Sequence, residues 1–180
     1  MTGPIARTTF IQWCNAQRLA RIPRARIAAA LIRAFRLVRL RPLPIALTFV
    51  DDRTIARLHR RFLGVSGPTD VISFPLQPDE NPGEGDPIGE VVVSVETAIR
   101  TARRRCHAPS AEIALYAVHG ILHLLGFEDG NAAEVERMRA AERECLKAAG
   151  IEKDLFGPAR KAQRRPNRSG KKLPGRGRSK

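Results

Sequence analysis

Apolar and polar residues alternate along the chain with two different periods, which predict both helices and strands. Between residues 24 and 39 the apolar side chains recur at the 3.6-residue spacing of a helix. Arg26, Arg33 and Arg36 lie on the opposite side, which indicates either a charged solvent face or a basic ridge that faces RNA. The run at 88–95 is apolar almost throughout and predicts a strand that is buried on both faces.

The full pattern divides the chain into strands and helices separated by clusters of proline and glycine. The helix expected at 109–125 is apolar almost all round in its interior, residues 113–125, which indicates a central buried helix. Strands are expected at 8–13, 45–50, 71–75 and 88–95, helices at 24–39, 52–62, 96–105, 109–125 and 132–149, and a loop at 77–87. This order predicts an α+β domain, in which a small mixed β-sheet packs against the buried helix and further helices flank both.

Basic residues outnumber acidic residues by 32 to 18, and the excess is concentrated near the C-terminal end. Residues 157–180 contain ten Lys or Arg and no acid, whereas 1–156 carry the other 22 against all 18 acids. The segment 157–180 has too few apolar residues to form a core, so a disordered basic tail is expected after a domain at 1–156. The tail is either a solubilising extension or an arm that binds nucleic acid nonspecifically, and its lack of acids favours the arm.

The sequence predicts neither a membrane protein nor a secreted one. It has no run of about 18 uncharged apolar residues, and its N-terminus lacks the apolar core of a secretory signal. Cys14, Cys106 and Cys145 are odd in number, far apart and not paired as C-x-x-C, so no disulfide framework is expected. These features predict a cytoplasmic protein without a membrane partner.

Residues 119–129 carry the clearest chemistry, in the pattern H-x-x-x-H-x-x-G-x-x-D. His119 and His123 are four residues apart, so a helix places both imidazoles on one face. Gly126 can adopt a left-handed conformation and end that helix, after which the chain can return Asp129 as a third ligand. Three protein ligands and an open position are typical of a catalytic zinc site. The sequence therefore predicts one Zn²⁺ ion on His119, His123 and Asp129.

The residue after His119 narrows the range of reactions that this site is expected to catalyse. Zinc peptidases with the pattern H-E-x-x-H place a glutamate general base there, but this chain has Gly120, which disfavours a metallopeptidase. Zinc lowers the pKa of a bound water molecule to about 7, and a basic chain suits a polyanionic substrate. Phosphodiester cleavage is the favoured reaction. The metal-bound water is the expected nucleophile or general base, and no side chain is assigned as the catalytic residue.

Several motifs, in the same order, resemble the YbeY family of bacterial endoribonucleases. The segment 119–127, HGILHLLGF, resembles the family's H-G-x-L-H-L-x-G-Y, which a third histidine follows. The segment 68–75, PTDVISFP, resembles P-T-D-V-L-S-F-P, and 88–94, IGEVVVS, resembles the strand L-G-D-I-x-I-S. The final helix is similar as well, so the likeness covers roughly residues 45–150.

The resemblance implies a zincin-like fold and a zinc-dependent endoribonuclease that cuts single-stranded RNA. It also implies maturation of the 3′ end of small-subunit ribosomal RNA and ribosome quality control, with ribosomal RNA and the small subunit as partners. Asp70 and Ser73 become candidates for orienting the histidines, although turn and strand capping explains them equally well. A ribosome-assembly or RNA-binding factor with a structural metal and little catalysis is the alternative.

Some positions depart from the family pattern. Asp129 stands where a third histidine is usual. A carboxylate is an accepted zinc ligand, but it makes the site one charge unit more negative. The spacing favours Asp129 over the adjacent Glu128 as that ligand. Leu63 stands where an arginine is usual and cannot neutralise a phosphate. His59 replaces an asparagine and is expected to be a surface or capping residue.

Overall fold

The computed structural model describes residues 10–76 and 87–151, together with residues 153 and 155. The strands within these ranges are β1 (Ile11–Asn15), β2 (Ile45–Val50), β3 (Val71–Pro75) and β4 (Gly89–Ser94). The helices are α1 (Arg24–Leu37), α2 (Asp52–Leu63), α3 (Val95–Arg105), α4 (Pro109–Leu124) and α5 (Ala132–Ala148). The loop expected at 77–87, except its last residue, and the tail expected at 157–180 lie outside the described residues.

The strands form one mixed sheet in the order β1-β2-β4-β3. β1, β2 and β4 are parallel, and β3 runs antiparallel to β4 at one edge. β4 is buried on both faces, as its apolar run predicts: Val91 and Val93 belong to the main core, whereas Val92 packs in a smaller core with Ile55 of α2. α2 covers that second face, and α4 packs on the first with α1, α3 and α5 around it. This arrangement confirms the predicted α+β fold with its central buried helix.

α4 lies directly against the sheet because Gly120 has no side chain. A Cβ atom at position 120 would be 2.5 Å from Cγ1 of Val91 and 2.9 Å from Cγ2 of Val71. The hydroxyl of Ser73 donates a hydrogen bond to the carbonyl oxygen of Gly120 at 2.9 Å. β3 and β4 are thereby held beneath the C-terminal half of α4, the part of the helix that carries the two histidines.

Two elements differ from the sequence expectation by two residues at their C-terminal ends, whereas the other elements agree there within one residue. β1 begins at Ile11 and reaches Asn15 rather than ending at 13, because its last two residues pair with Thr48 and Phe49 of β2. Residues 8 and 9, expected to begin this strand, lie outside the described residues. α1 ends at Leu37 rather than at 39, because residue 39 adopts a φ of 60°. Backbone pairing and backbone conformation determine where these elements end, and neither can be read from the pattern of apolar residues.

The described part of the chain has no helix with both the length and the apolar character required to cross a membrane. Its three cysteines are free, which agrees with their unpaired spacing in the sequence. Cys14 and Cys106 are exposed, whereas Cys145 lies on the buried face of α5. Burial raises the pKa of the Cys145 thiol to about 12, so this thiol stays protonated and packs as a small apolar side chain.

Candidate metal centre

His119 and His123 lie in the last two turns of α4 and project from the same side of the helix. Their Nε2 atoms are 3.1 Å apart, and the rings meet edge to face with centroids 4.6 Å apart. The side chains are 24% and 26% exposed, so both imidazoles reach solvent from an otherwise buried helix. The four-residue spacing thus produces the shared face that helix geometry predicts.

A Schellman turn ends α4 and reverses the chain. Gly126 has a φ of 87°, as the sequence predicts for the residue that ends this helix. Its N–H donates to the carbonyl oxygen of His123, and the N–H of Phe127 donates to that of Leu122, both at 3.0 Å. Three residues after the glycine, Oδ2 of Asp129 lies 3.8 Å from Nε2 of His119 and 3.9 Å from Nε2 of His123. The turn therefore brings together the three ligands predicted from the sequence.

Hydrogen bonds at the start of α5 hold the other end of this loop. Asn131 caps α5 by accepting a bond from the N–H of Glu134 at 3.0 Å. The carboxylate of Glu134 in turn accepts a bond from the N–H of Gly130 at 3.0 Å. This reciprocal arrangement resembles a capping box and satisfies two backbone donors. Asp129 is therefore fixed between the Schellman turn on one side and the helix cap on the other.

The three side chains fit a single zinc ion. Zinc binds imidazole nitrogen at about 2.0–2.1 Å and carboxylate oxygen at about 2.0–2.2 Å, so two atoms on one ion lie at most about 4.3 Å apart. The separations among Nε2 of His119, Nε2 of His123 and Oδ2 of Asp129 all satisfy this limit. The three residues form a candidate metal group, and the neighbouring Glu128 is not part of it. Two imidazoles and one carboxylate are a donor set that zinc accepts.

Glu142 of α5 orients the first histidine, a role that the sequence analysis missed. Its Oε1 lies 2.7 Å from Nδ1 of His119, and its side chain is only 12% exposed. A hydrogen bond from Nδ1–H to this carboxylate leaves Nε2 free to bind a metal. A sequence signal for this role exists in helical spacing. Glu142 is four residues beyond the buried Met138, so both lie on the face of α5 that packs against α4.

Opposing effects set the pKa of His119. Burial lowers this pKa, whereas the hydrogen bond to Glu142 and the negative charge of Glu142 raise it. Asp70 and Asp129 add smaller contributions in the same direction, and the pKa ends above its ordinary value of 6.5. The surroundings therefore stabilise positive charge at this imidazole, for which a proton and a metal ion compete.

Asp70 and Ser73, the sequence candidates for orienting the histidines, bond to other groups. The carboxylate of Asp70 accepts bonds from the hydroxyl of Thr69 at 3.0 Å and from the N–H of Val71 at 2.9 Å. The hydroxyl of Ser73 bonds to the backbone of α4, as described above. The capping alternative therefore accounts for the contacts of both residues. Asp70 still contributes negative charge near the site.

Leu63 and His59 take no part in the metal group. Leu63 is 57% exposed at the end of α2. Nδ1 of His59 pairs with the carbonyl oxygen of Gly67 at 3.0 Å, which ties α2 to the loop that precedes β3. His59 therefore holds this loop from the surface of α2, within the surface or capping role expected from the sequence.

Position 120 is directed at the sheet rather than at the metal group. A Cβ there would meet side chains of β3 and β4. A glutamate at this position would have to displace the sheet before its carboxylate could approach the histidines. The packing around Gly120 thus disfavours peptidase chemistry, in agreement with the sequence.

A cleft of about 530 Å³ opens beside the metal group. α3, α4, α5 and the loop before β3 line it, and His119, Asp129 and Glu142 all face into it. Tyr116 contributes to the lining while remaining only 8% exposed. Burial raises the pKa of Tyr116, so its phenol stays protonated at neutral pH. A ligand in this cleft would meet the metal position directly.

Comparison with known proteins adds an independent observation. The family profile described as Endoribonuclease YbeY matches residues 14–150. A relative named Endoribonuclease YbeY from Anaeromyxobacter sp. (strain Fw109-5) is 42% identical over 122 residues, 66% of this chain and 62% of the relative. The protein of the same name from Anaeromyxobacter dehalogenans is 39% identical over 153 residues, 85% of this chain and 74% of the relative. The match thus spans less than two thirds of the first relative and about three quarters of the second.

The fold also has a counterpart among solved structures. The solution structure of TM1509 from Thermotoga maritima superposes with a TM-score of 0.52 at 22% identity. The match covers 77% of this chain and 88% of that one. At this level of identity the likeness concerns the fold, and it agrees with the mixed sheet and helical layers described above.

Proposed function

Because the chain belongs to the Endoribonuclease YbeY family, we propose that it is a metal-dependent endoribonuclease that cleaves single-stranded RNA. The catalytic centre is the group formed by His119, His123 and Asp129. The observation that carries this proposal is the convergence of three ligand atoms from the end of α4 and the following loop, with Glu142 holding the first histidine from α5.

We assign one zinc ion to this centre. A bound zinc ion would supply Lewis-acid polarisation of a phosphoryl oxygen and activation of a water molecule. His119 and His123 present neutral nitrogens, Asp129 contributes one negative charge, and Glu142 keeps the His119 ring in the orientation that metal binding requires. A third histidine would leave the site less negative, so Asp129 favours retention of a divalent cation and weakens its Lewis acidity.

Family likeness supports the assignment of the substrate. We propose that the enzyme acts in the cytoplasm on ribosomal RNA of the small subunit, maturing its 3′ end and taking part in ribosome quality control. The basic character of the chain, with a formal net charge of +14, suits an RNA substrate.

Substitutions at two adjacent acidic residues test whether Asp129 binds the metal. Asp129→Ala is expected to lower bound zinc well below one ion per chain and to reduce cleavage of single-stranded RNA at least 100-fold. Glu128→Ala removes the same charge one position earlier, outside the metal group, and should keep both metal and activity. The measurements are the metal content of purified protein and cleavage of a labelled RNA from the 3′ end of the small-subunit precursor, with and without a chelator.

The results separate the parts of the proposal. Equal zinc content in the two variants would refute Asp129 as a ligand. Chelator-resistant cleavage would refute metal dependence. Metal-loaded wild-type protein that does not cut single-stranded RNA would refute the proposed function, whatever the ligands are.

A further inference from the structure

Three arginines line the cleft beside the metal group. Arg104 and Arg105 belong to the last turn of α3, and Arg139 belongs to the second turn of α5. All three are exposed, and they share the cleft with His119 and Asp129. The cleft therefore presents guanidinium groups from two different helices close to the proposed catalytic centre.

Helical periodicity explains why these particular arginines face the cleft. On α3 the lining residues are Thr97, Thr101, Arg104 and Arg105, which follow the spacing i, i+4, i+7, i+8. On α5 they are Val135, Met138, Arg139 and Glu142, with the spacing i, i+3, i+4, i+7. Each set is one face of its helix. Arg103 lines a neighbouring pocket, which Arg104 also borders, and Arg103, Arg137 and Arg143 do not line the cleft.

The cleft arginines have no carboxylate partner within the described residues. Other arginines at these helices are paired: Arg100 of α3 with Asp52 at 2.6 Å, and Arg33 of α1 with Glu144 of α5. The three carboxylates that line the cleft face other groups, and one of them, Asp129, belongs to the metal group. Glu142 holds His119, and Asp70 accepts bonds from its own loop. The guanidinium groups of the cleft thus keep their donors available for a ligand.

The ligand that these groups suit is a phosphodiester. Guanidinium is planar, permanently charged, and able to donate two parallel hydrogen bonds to one phosphate group. The helix dipole offers another explanation for Arg104 and Arg105, because positive charge near the C-terminus of α3 is stabilising. Arg103 lies in the same last turn and would provide this stabilisation equally well, so the dipole does not explain why arginines face the cleft. The helix dipole does not explain Arg139, which lies in the middle of α5, away from both ends of the helix.

We propose that Arg104, Arg105 and Arg139 bind phosphates of the RNA strand next to the scissile phosphodiester, and so set the path of the strand away from the metal centre. This assignment rests on the proposed ribonuclease function. It adds three positioning residues, and it predicts that the strand runs between α3 and α5 over Tyr116.

The first test measures binding without cleavage. Full-length wild-type protein, the triple variant Arg104→Gln/Arg105→Gln/Arg139→Gln and the matched triple variant Arg103→Gln/Arg137→Gln/Arg143→Gln are titrated into a short fluorescent single-stranded RNA with chelator present. Both variants lose three positive charges from the same two helices. We expect the cleft variant to bind at least tenfold more weakly than the matched variant. Its slope of log affinity against log salt should fall by about 0.7 for each phosphate that the protein no longer neutralises.

The second test locates the contact on the RNA. A substrate in which the phosphate next to the scissile bond is replaced by an uncharged methylphosphonate should show a reduced kcat/KM with wild-type protein and with the matched variant. The cleft variant should be insensitive to that replacement, because its partner arginines are already absent. Thermal melting of all three proteins establishes that they are equally folded.

The outcomes separate this proposal from the proposed function. Equal RNA affinity in the cleft and matched variants would overturn the phosphate assignment. This result is also the one expected if the cleft binds an acidic protein rather than RNA. A difference in binding with no RNA cleavage by any of the proteins would retain the phosphate site and refute the ribonuclease.

Discussion

The carboxylate of Glu142 determines which nitrogen of His119 is available. Replacing it with alanine removes both the hydrogen bond and the charge. Loss of such an orienting partner lowers metal affinity by about 10- to 100-fold, and we expect Glu142→Ala to show a loss of this size. Glu142→Gln keeps an acceptor for Nδ1–H and should lose less. Zinc affinity is measured by competition with a chromophoric chelator.

Glu136 provides the control for this prediction because it lies on the same helix, is exposed and does not line the cleft. Glu136→Gln should bind zinc as the wild type does. Unchanged zinc affinity in Glu142→Ala would show that the hydrogen bond to His119 has no influence on the site.

At the scale of single residues, the sequence predicts best those contacts that join residues close together along the chain. The partners of His119 within ten residues, namely His123, Gly126 and Asp129, follow from helix periodicity and from the conformational freedom of glycine. Glu142 is 23 residues away, and its contact depends on how α5 packs against α4. Asp70 was a reasonable alternative for the same role, but its carboxylate bonds to its own turn.

The contact between α4 and the sheet depends on the missing side chain at position 120. Gly120→Ala would place Cβ 2.5 Å from Cγ1 of Val91, which requires a shift of helix or strand. Overpacking of this kind costs about 1–3 kcal/mol, and the better helix propensity of alanine returns about 1 kcal/mol. We therefore expect a net decrease of up to about 2 kcal/mol in the free energy of unfolding, measured in urea.

A double-mutant cycle checks that the loss arises at this contact. Val91→Ala removes the atom that the new Cβ would meet, so Gly120→Ala should cost less in that background than in the wild type. Strict additivity of the two substitutions would contradict the close approach described here.

Asp52 joins α2 to α3 and gives this contact a pH dependence. Its carboxylate accepts bonds from Ser94 at 2.5 Å, from Thr97 at 2.6 Å and from Arg100 at 2.6 Å. Burial raises the pKa of Asp52, but these hydrogen bonds together lower it below the ordinary value of 3.8. A lowered folded-state pKa contributes stability that is present above pH 3.8 and is lost as the pH falls through the folded value.

Asp52→Asn should therefore reduce the free energy of unfolding at pH 7 by about 1.5–3 kcal/mol, the range for hydrogen bonds to a charged group. The difference between variant and wild type should shrink as the pH is lowered below 3.8, because the wild-type carboxylate then becomes protonated too. Urea unfolding at a series of pH values measures this. A difference that stays constant down to pH 2 would exclude the ionised carboxylate as its source.

At the scale of elements, apolar periodicity predicted the type and order of every helix and strand in the described part of the chain. Apolar periodicity was less reliable for the ends of elements, where backbone pairing or backbone conformation determines the last residue. β1 extends to Asn15 through pairing with β2, although its last side chains are polar. Capping residues marked the ends better: Asp51 accepts a bond from the N–H of Thr54 at the start of α2, as expected from its type.

At the scale of the whole molecule, the candidate site depends on contacts between distant parts of the chain. α4 supplies two of the proposed ligands, the loop after it supplies the third, and α5 supplies the orienting carboxylate. A metal bound there would link α4 to the start of α5, so metal binding and folding of this region are coupled. The sequence predicts the ligands, whereas the cleft and its arginines become visible only when α3 and α5 are placed on either side of α4.

The concentration of positive charge in the last 24 residues predicts that this segment contributes to RNA binding. Residues 157–180 carry ten of the 32 basic residues and no acid, so we expect them to add nonspecific RNA affinity to that of the cleft. A chain ending at residue 156 should bind single-stranded RNA more weakly, with a smaller dependence of log affinity on log salt. Cleavage at saturating RNA should be unchanged, because the metal ligands and the cleft are retained.

The truncated chain also separates the tail from the cleft. If the two act independently, the affinity ratio between the cleft variant and its matched control should be the same with and without residues 157–180. Fluorescence anisotropy across a salt series measures both effects, and thermal melting establishes that the shortened chain is folded. A truncated chain with the same salt dependence as the full chain would show that the terminal charges do not contact RNA. A ratio that disappears on truncation would show that the arginines act only together with the tail.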